Sequence, residues 1–80
     1  MEKENIFLVV KDAIADVLPD VDTEAVSIEQ NLKSLGANSI DRTEIVMSSM
    51  EKLGIKMPLV SFGGVENIED MVDVMADAYR

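Results

Sequence analysis

The chain has 80 residues, 16 acidic and 7 basic, with a net charge of −9 and neither histidine nor cysteine. That field repels nucleic acid and anionic lipid and favours basic partners. Without cysteine there is no disulfide framework, side-chain thiol chemistry or thiolate metal site. A fold of this size buries only about 60% of its unfolded surface, so one domain spanning residues 1–80, with a marginal core, is expected. The apolar fraction, 48%, is too high for a disordered acidic segment.

Met1-Glu2-Lys3-Glu4-Asn5 is polar and has no apolar signal core behind it. No apolar run approaches membrane-spanning length, so the expectation is a soluble, monomeric, cytoplasmic protein. Ile6, Phe7, Val10, Ala13, Ile14, Val17 and Leu18 recur at helical steps and predict a first helix that Pro19 ends. A polar connection over residues 20–33 follows, in which Ser27-Ile28-Glu29-Gln30 has the form of a capped short turn. Asp20, Asp22 and Glu24 alternate, but a calcium loop from Asp20 needs Gly at Ala25 and Glu at Asn31, so no metal site is expected.

A second helix is predicted to start at Asn38 or Ser39, with Asn38 as N-cap and Asp41 against the helix dipole, and to end at Gly54. Pro58 suits the first position of a brief third helix, broken by Gly63-Gly64. Asn67 caps the last helix, whose stripe is Ile68, Met71, Val72, Met75 and Tyr79. No segment alternates with period two for long enough to be a strand. The fold class is all-α, a small four-helix bundle of three main helices and one short one.

On the second helix, Ile45, Val46 and Leu53 share one arc, and Ile40, Thr43, Met47 and Met50 form an adjoining one. Together they span about 220°, more than the ~100° that packing on one side requires. Part of the second arc is then exposed beside Ser39, unless the short third helix covers it. Exposed methionines suit partners of varied shape.

Ser39 stands at the head of this helix behind Gly36-Ala37, with no histidine or cysteine anywhere to activate it. That pattern fits a hydroxyl modified by another enzyme better than a nucleophile. A hydrolase reading lacks a base and any Gly-x-Ser-x-Gly elbow. Ser48 and Ser49 lie mid-helix as small packing or surface residues, and Gly63-Gly64 marks a turn, not a phosphate cradle. Position alone would make Ser39 an ordinary capping serine; the surrounding residues reverse that reading.

Leu35-Gly36-Ala37-Asn38-Ser39-Ile40-Asp41 resembles the Leu-Gly-x-Asp-Ser-Leu-(Asp) signature of acyl carrier proteins, and helix pattern, acidity and size match over essentially the whole chain. The resemblance implies a carrier without catalytic residues, its 4′-phosphopantetheine arm joined to Ser39 by a phosphodiester and ending in a thiol that holds acyl groups. A phosphopantetheinyl transferase would attach it, supplying base and Mg²⁺. Unpaired amides and the helix dipole favour a phosphodiester there. Asn38 stands where the family usually has Asp, and Ile40 where it usually has Leu. These departures point away from a generic fatty-acid carrier.

Charge distribution agrees. Residues 34–60 balance, whereas 61–80 sum to −4. Fatty-acid carriers present a strongly acidic second helix; here Arg42 sits one turn from Ser39, as a solvated ion pair with Asp41 or Glu44 or as a recognition residue. Weak acidic steering leaves partner choice to apolar contacts. The candidate recognition set is Asn38, Ile40, Asp41, Arg42, Thr43, Met47 and Met50. Gly-Ala-Asn-Ser-Ile-Asp-Arg, with Phe62-Gly63-Gly64-Val65, looks most like the discrete donor carriers of polyketide β-branching cassettes. That likeness implies a malonyl cargo decarboxylated to acetyl. It implies as partners an acyltransferase, a decarboxylating ketosynthase-like enzyme and a hydroxymethylglutaryl-CoA (HMG-CoA) synthase-like enzyme. The competing readings are a cofactor-free acidic helical adaptor for a basic partner, indifferent to Ser39→Ala, and a generic fatty-acid or peptidyl carrier.

Overall fold

Apolar spacing and one chain breaker, Pro19, set the first helix. In the computed structural model, which describes residues 2–79, α1 runs Lys3–Val17 and buries Ile6, Val10, Ala13 and Ile14 along one stripe. Its last turn closes with the Leu18 amide donating to the Ile14 carbonyl at 2.7 Å, and Pro19, with no N–H to give, follows. The second helix, α2, is Ser39–Leu53. It ends at Gly54 in the left-handed region (φ 70°), with Gly54 N–H donating to Glu51 O and Ile55 N–H to Met50 O. That pair of bonds is a Schellman termination, which a residue with a Cβ adopts only under strain. The third long helix, α3, spans Ile68–Ala78 and buries Ile68, Met71, Val72 and Met75.

The expected short helix is a 3-10 turn, Leu59–Phe62, and Pro58 is its extended N-cap residue instead of its first helical one. The reason is length. Between Pro58 and the Gly63-Gly64 pair there is room only for bonds three residues apart, Ser61 N–H to Pro58 O and Gly63 N–H to Val60 O, both 3.0 Å.

The connection between α1 and α2 is less solvated than its polarity implies. It contains two further 3-10 turns, Thr23–Ala25 and Lys33–Leu35, and sends Val26 and Leu32 into the core. The Ser27 turn forms as anticipated: Gln30 Oε1 accepts from Ser27 N–H at 2.7 Å, and Ser27 Oγ accepts from Glu29 N–H at 3.2 Å. The loop then caps α3. Ile68 and Glu69 amides donate to the Gln30 and Ile28 carbonyls, both at 2.8 Å, while Asn67 Oδ1 takes the Asp70 amide at 2.8 Å. Three of the amides that a helix start leaves unpaired are thereby satisfied. Asp22 is used in the same way, accepting from Glu24 N–H at 3.1 Å.

α1 packs against both other long helices, whereas α2 and α3 meet mainly through it. Ser49 is fully buried in this core and donates to the Ile45 carbonyl at 2.8 Å, so its hydroxyl brings no unsatisfied group inside. Two ion pairs tie α1 to its neighbours, Lys3–Asp73 at 2.6 Å and Lys52–Asp16 at 3.2 Å. The hydrogen bond to Asp73 raises the Lys3 ammonium above its ordinary pKa, though both groups are about half exposed and the pair contributes little. Among the described residues no helix is long and apolar enough to cross a membrane, and no acidic cluster has metal-binding geometry.

Candidate functional site at the head of α2

Gly36 turns the chain into the site. Its φ of 94° closes the Lys33–Leu35 turn, with Ala37 N–H reaching back to Leu32 O at 3.2 Å. Ala37, 4% exposed, anchors the loop in the core. Asn38 is extended and caps α2: its Oδ1 accepts from Asp41 N–H at 2.8 Å, and Asp41 Oδ2 accepts from Asn38 N–H at 3.3 Å. This reciprocal capping box satisfies two donors at once.

The consequence for Ser39 is direct. Because Asn38 is the N-cap, Ser39 is the first helical residue and its hydroxyl has no capping duty. The side chain is exposed at the positive end of the α2 dipole. The first-turn amides of Ser39 and Ile40 have no acceptor within the helix. Thr43 turns its hydroxyl back to the Ser39 carbonyl at 3.0 Å. Arg42 folds toward the helix start, Nε 3.4 Å from Asn38 O and Nη2 3.5 Å from Ser39 Oγ. Its anticipated ion pair with Asp41 or Glu44 does not form among the described residues. Asp41 is occupied by the capping box instead.

Beside Ser39 a cleft of about 500 Å³ opens between α2 and α3. Arg42, Thr43 and Val46 line one wall, Ile68 and Met71 the other, and Leu59 and Phe62 its rim. It lies where α2 and α3, each resting on α1, do not pack closely on one another, and the 3-10 turn, which contacts α3, contributes to its lining.

The exposed arc of α2 is narrower than its sequence implies. Ile40 is 69% and Met47 53% exposed, and Thr43 is exposed as well. Met50, expected beside them, is only 8% exposed and belongs to the core. It lies one turn from both Val46 and Leu53, core residues that draw its flexible side chain inward. The 3-10 turn leaves Ile40 and Met47 uncovered and adds apolar surface of its own, Leu59 at 43% and Val60 at 83%. Sequence reasoning did not single out this pair. Three apolar residues, Leu59, Val60 and Phe62, between a proline and a glycine pair, in an element too short to bury them all, were the available signal.

An exposed hydroxyl at a helix start, a cation beside it and a cleft leading away fit a covalently attached phosphorylated arm. Residues 9–75 match the family described as phosphopantetheine attachment site. The chain belongs to the acyl carrier proteins, which carry a covalent 4′-phosphopantetheine. It is 39% identical over 77 residues to the polyketide biosynthesis acyl-carrier-protein AcpK of Bacillus subtilis (strain 168), covering 96% of this chain and 94% of that one. An acyl carrier protein of Helicobacter acinonychis (strain Sheeba) is 36% identical over 59 residues, 72% of this chain and 76% of that one. Among solved structures, the curacin biosynthetic pathway HMG synthase in complex with acetyl donor-ACP contains a chain that superimposes with a TM-score of 0.88. That chain is 30% identical, with 96% of this chain and 99% of that one covered.

Proposed function

We propose that Ser39 is the attachment point of the arm, and that residues 1–80 act as one discrete donor carrier for β-branching in polyketide assembly. The observation that carries the donor role is the likeness to the chain seen with an HMG synthase, joined to the near-neutral α2 that sets this carrier apart from strongly acidic ones. In this reading the chain has no catalytic step of its own. Its partners are a phosphopantetheinyl transferase, an acyltransferase, a decarboxylating ketosynthase-like enzyme and an HMG-CoA synthase-like enzyme.

During loading, Ser39 Oγ bonds to the phosphorus of coenzyme A that bears the pantetheine. Adenosine 3′,5′-bisphosphate leaves, and the hydroxyl proton passes to a base of the transferase. Asn38 holds the helix start rigid while this happens, so the oxygen is presented at a fixed position. The α2 dipole and the first-turn amides stabilise the diester anion. When bound, the arm supplies a terminal thiol for acyl groups, here malonyl and then acetyl. Ile40 and Met47 offer partners an apolar contact beside the arm's root, with Asn38, Asp41, Arg42 and Thr43 around it. Met50 has no part in that surface.

The donor reading is tested by loading the chain with acetyl-phosphopantetheine and mixing it with an HMG-CoA synthase-like enzyme of a β-branching cassette and an acetoacetyl-carrier. Acetyl should leave this chain and a hydroxymethylglutaryl group should appear on the acceptor. Retention of acetyl under conditions where a known donor carrier is discharged would sink the proposal.

A further inference from the structure

Among the described residues Arg42 makes no ion pair, in a molecule of net charge −9. Its guanidinium has folded back along α2, against the direction of the chain, onto the one residue of the site that can gain a charge. Nε lies 3.4 Å from Asn38 O and Nη2 3.5 Å from Ser39 Oγ, both long for a hydrogen bond. The site holds the guanidinium near a neutral oxygen without satisfying it.

We propose that Arg42 is the phosphate-anchoring residue of this carrier: once the phosphodiester is formed on Ser39, the guanidinium closes on its charged oxygens and fixes the root of the arm at the mouth of the cleft. The proposal rests on Ser39 being the attachment point. A phosphodiester replaces a weak acceptor with two non-bridging oxygens that share one negative charge, and charge-assisted bonds shorten to ~2.7–2.9 Å. Arginine suits this task because its planar donors can engage two oxygens together, which a lysine cannot do.

Nearby charges favour the closure. Asp41, the closest carboxylate in sequence, is turned to the Asn38 amide by the capping box. Asn38 performs the capping duty without adding an anion beside the diester. Glu66 lines the same cleft and is the carboxylate that could compete for Arg42. The competition favours the diester, because Arg42 is already in contact with the oxygen to which it is bonded. Arg42 also lines the wall of the cleft, so anchoring the phosphate there directs the arm along the groove toward Val46 and Phe62.

The test uses the intact chain before and after loading with coenzyme A and a phosphopantetheinyl transferase. In the wild type, the Arg42 Nε–H resonance should move downfield on loading and exchange more slowly with water. The ³¹P resonance of the loaded chain should shift in Arg42→Gln and shift less in Arg42→Lys. The Arg42 measurement needs no substitution, so it stands even where a variant loads poorly. An Arg42 Nε–H resonance unmoved in a chain shown by mass to be loaded would overturn the anchoring role while leaving Ser39 as the attachment point. Loading absent from the wild type, or present in Ser39→Ala, would overturn both.

Discussion

Replacing Asn38 by alanine removes the oxygen that accepts the Asp41 amide at 2.8 Å. The reciprocal bond, from the residue 38 amide to Asp41 Oδ2, uses main chain and can survive, but at 3.3 Å it is the weaker half. Loss of an N-cap of this kind costs about 1 kcal/mol, within a range of roughly 0.5–2. For a domain of this size each kcal/mol lowers the melting temperature by about 4–8 °C. Asn38→Ala should therefore melt about 4–8 °C below the wild type by circular dichroism. Asn38→Asp provides the control, since it keeps the acceptor and puts a charge at the positive end of α2, worth about 0.3–1 kcal/mol. Repulsion from Asp41 and from the net charge of −9 offsets part of that gain, so Asn38→Asp should melt close to the wild type. An alanine variant that melts with the wild type would refute the capping argument, and with it the claim that Asn38 frees Ser39 from capping.

Gly36→Ala should lose about 1–2 kcal/mol through backbone strain alone, because φ is 94° and a Cβ there meets nothing within 4 Å; urea denaturation reads the loss, and an unchanged midpoint would contradict it. Ser49→Ala should stay within about 0.5 kcal/mol of the wild type, since alanine is the better helix former. Ser49→Leu should lose about 1–3 kcal/mol by overpacking a site with no exposed area. Calorimetry on both separates a packing role from a hydrogen-bonding one: an alanine variant as damaged as the leucine variant would show that the hydroxyl matters. Salt or millimolar divalent cations should raise the melting temperature by screening the net charge of −9, and a melting point flat from low to high ionic strength would count against self-repulsion.

What could be read in the sequence was what local rules govern. Pro19, Gly54, Asn38 and Asn67 act through backbone geometry or a hydrogen bond within a few residues, so the end of α1, both ends of α2 and the start of α3 were legible. Ser39 could be read for the same reason, lying one place past a strong N-cap. Long-range packing was not legible. Val26 and Leu32 sit in a stretch whose neighbours are polar, and only the tertiary fold shows that their loop also caps α3. Met50 follows the same logic: the helical wheel put it with Met47, whereas in the fold it is buried in the core cluster with Val46 and Leu53. The cleft beside Ser39 depends on how far apart two helices rest on a third, and no periodicity records that distance. The direction of Arg42 was undecided for a related reason. A solvated pair with Asp41 was open until the capping box engaged that carboxylate.

The account turns on Ser39, and intact mass spectrometry tests it most directly. The wild type and Ser39→Ala would be incubated with coenzyme A, Mg²⁺ and a broad-specificity phosphopantetheinyl transferase, with circular dichroism confirming that both are folded. The account predicts a gain of one phosphopantetheine in the wild type and none in Ser39→Ala. A folded wild type that gains nothing with more than one transferase, or a Ser39→Ala chain that still gains the arm, would contradict it.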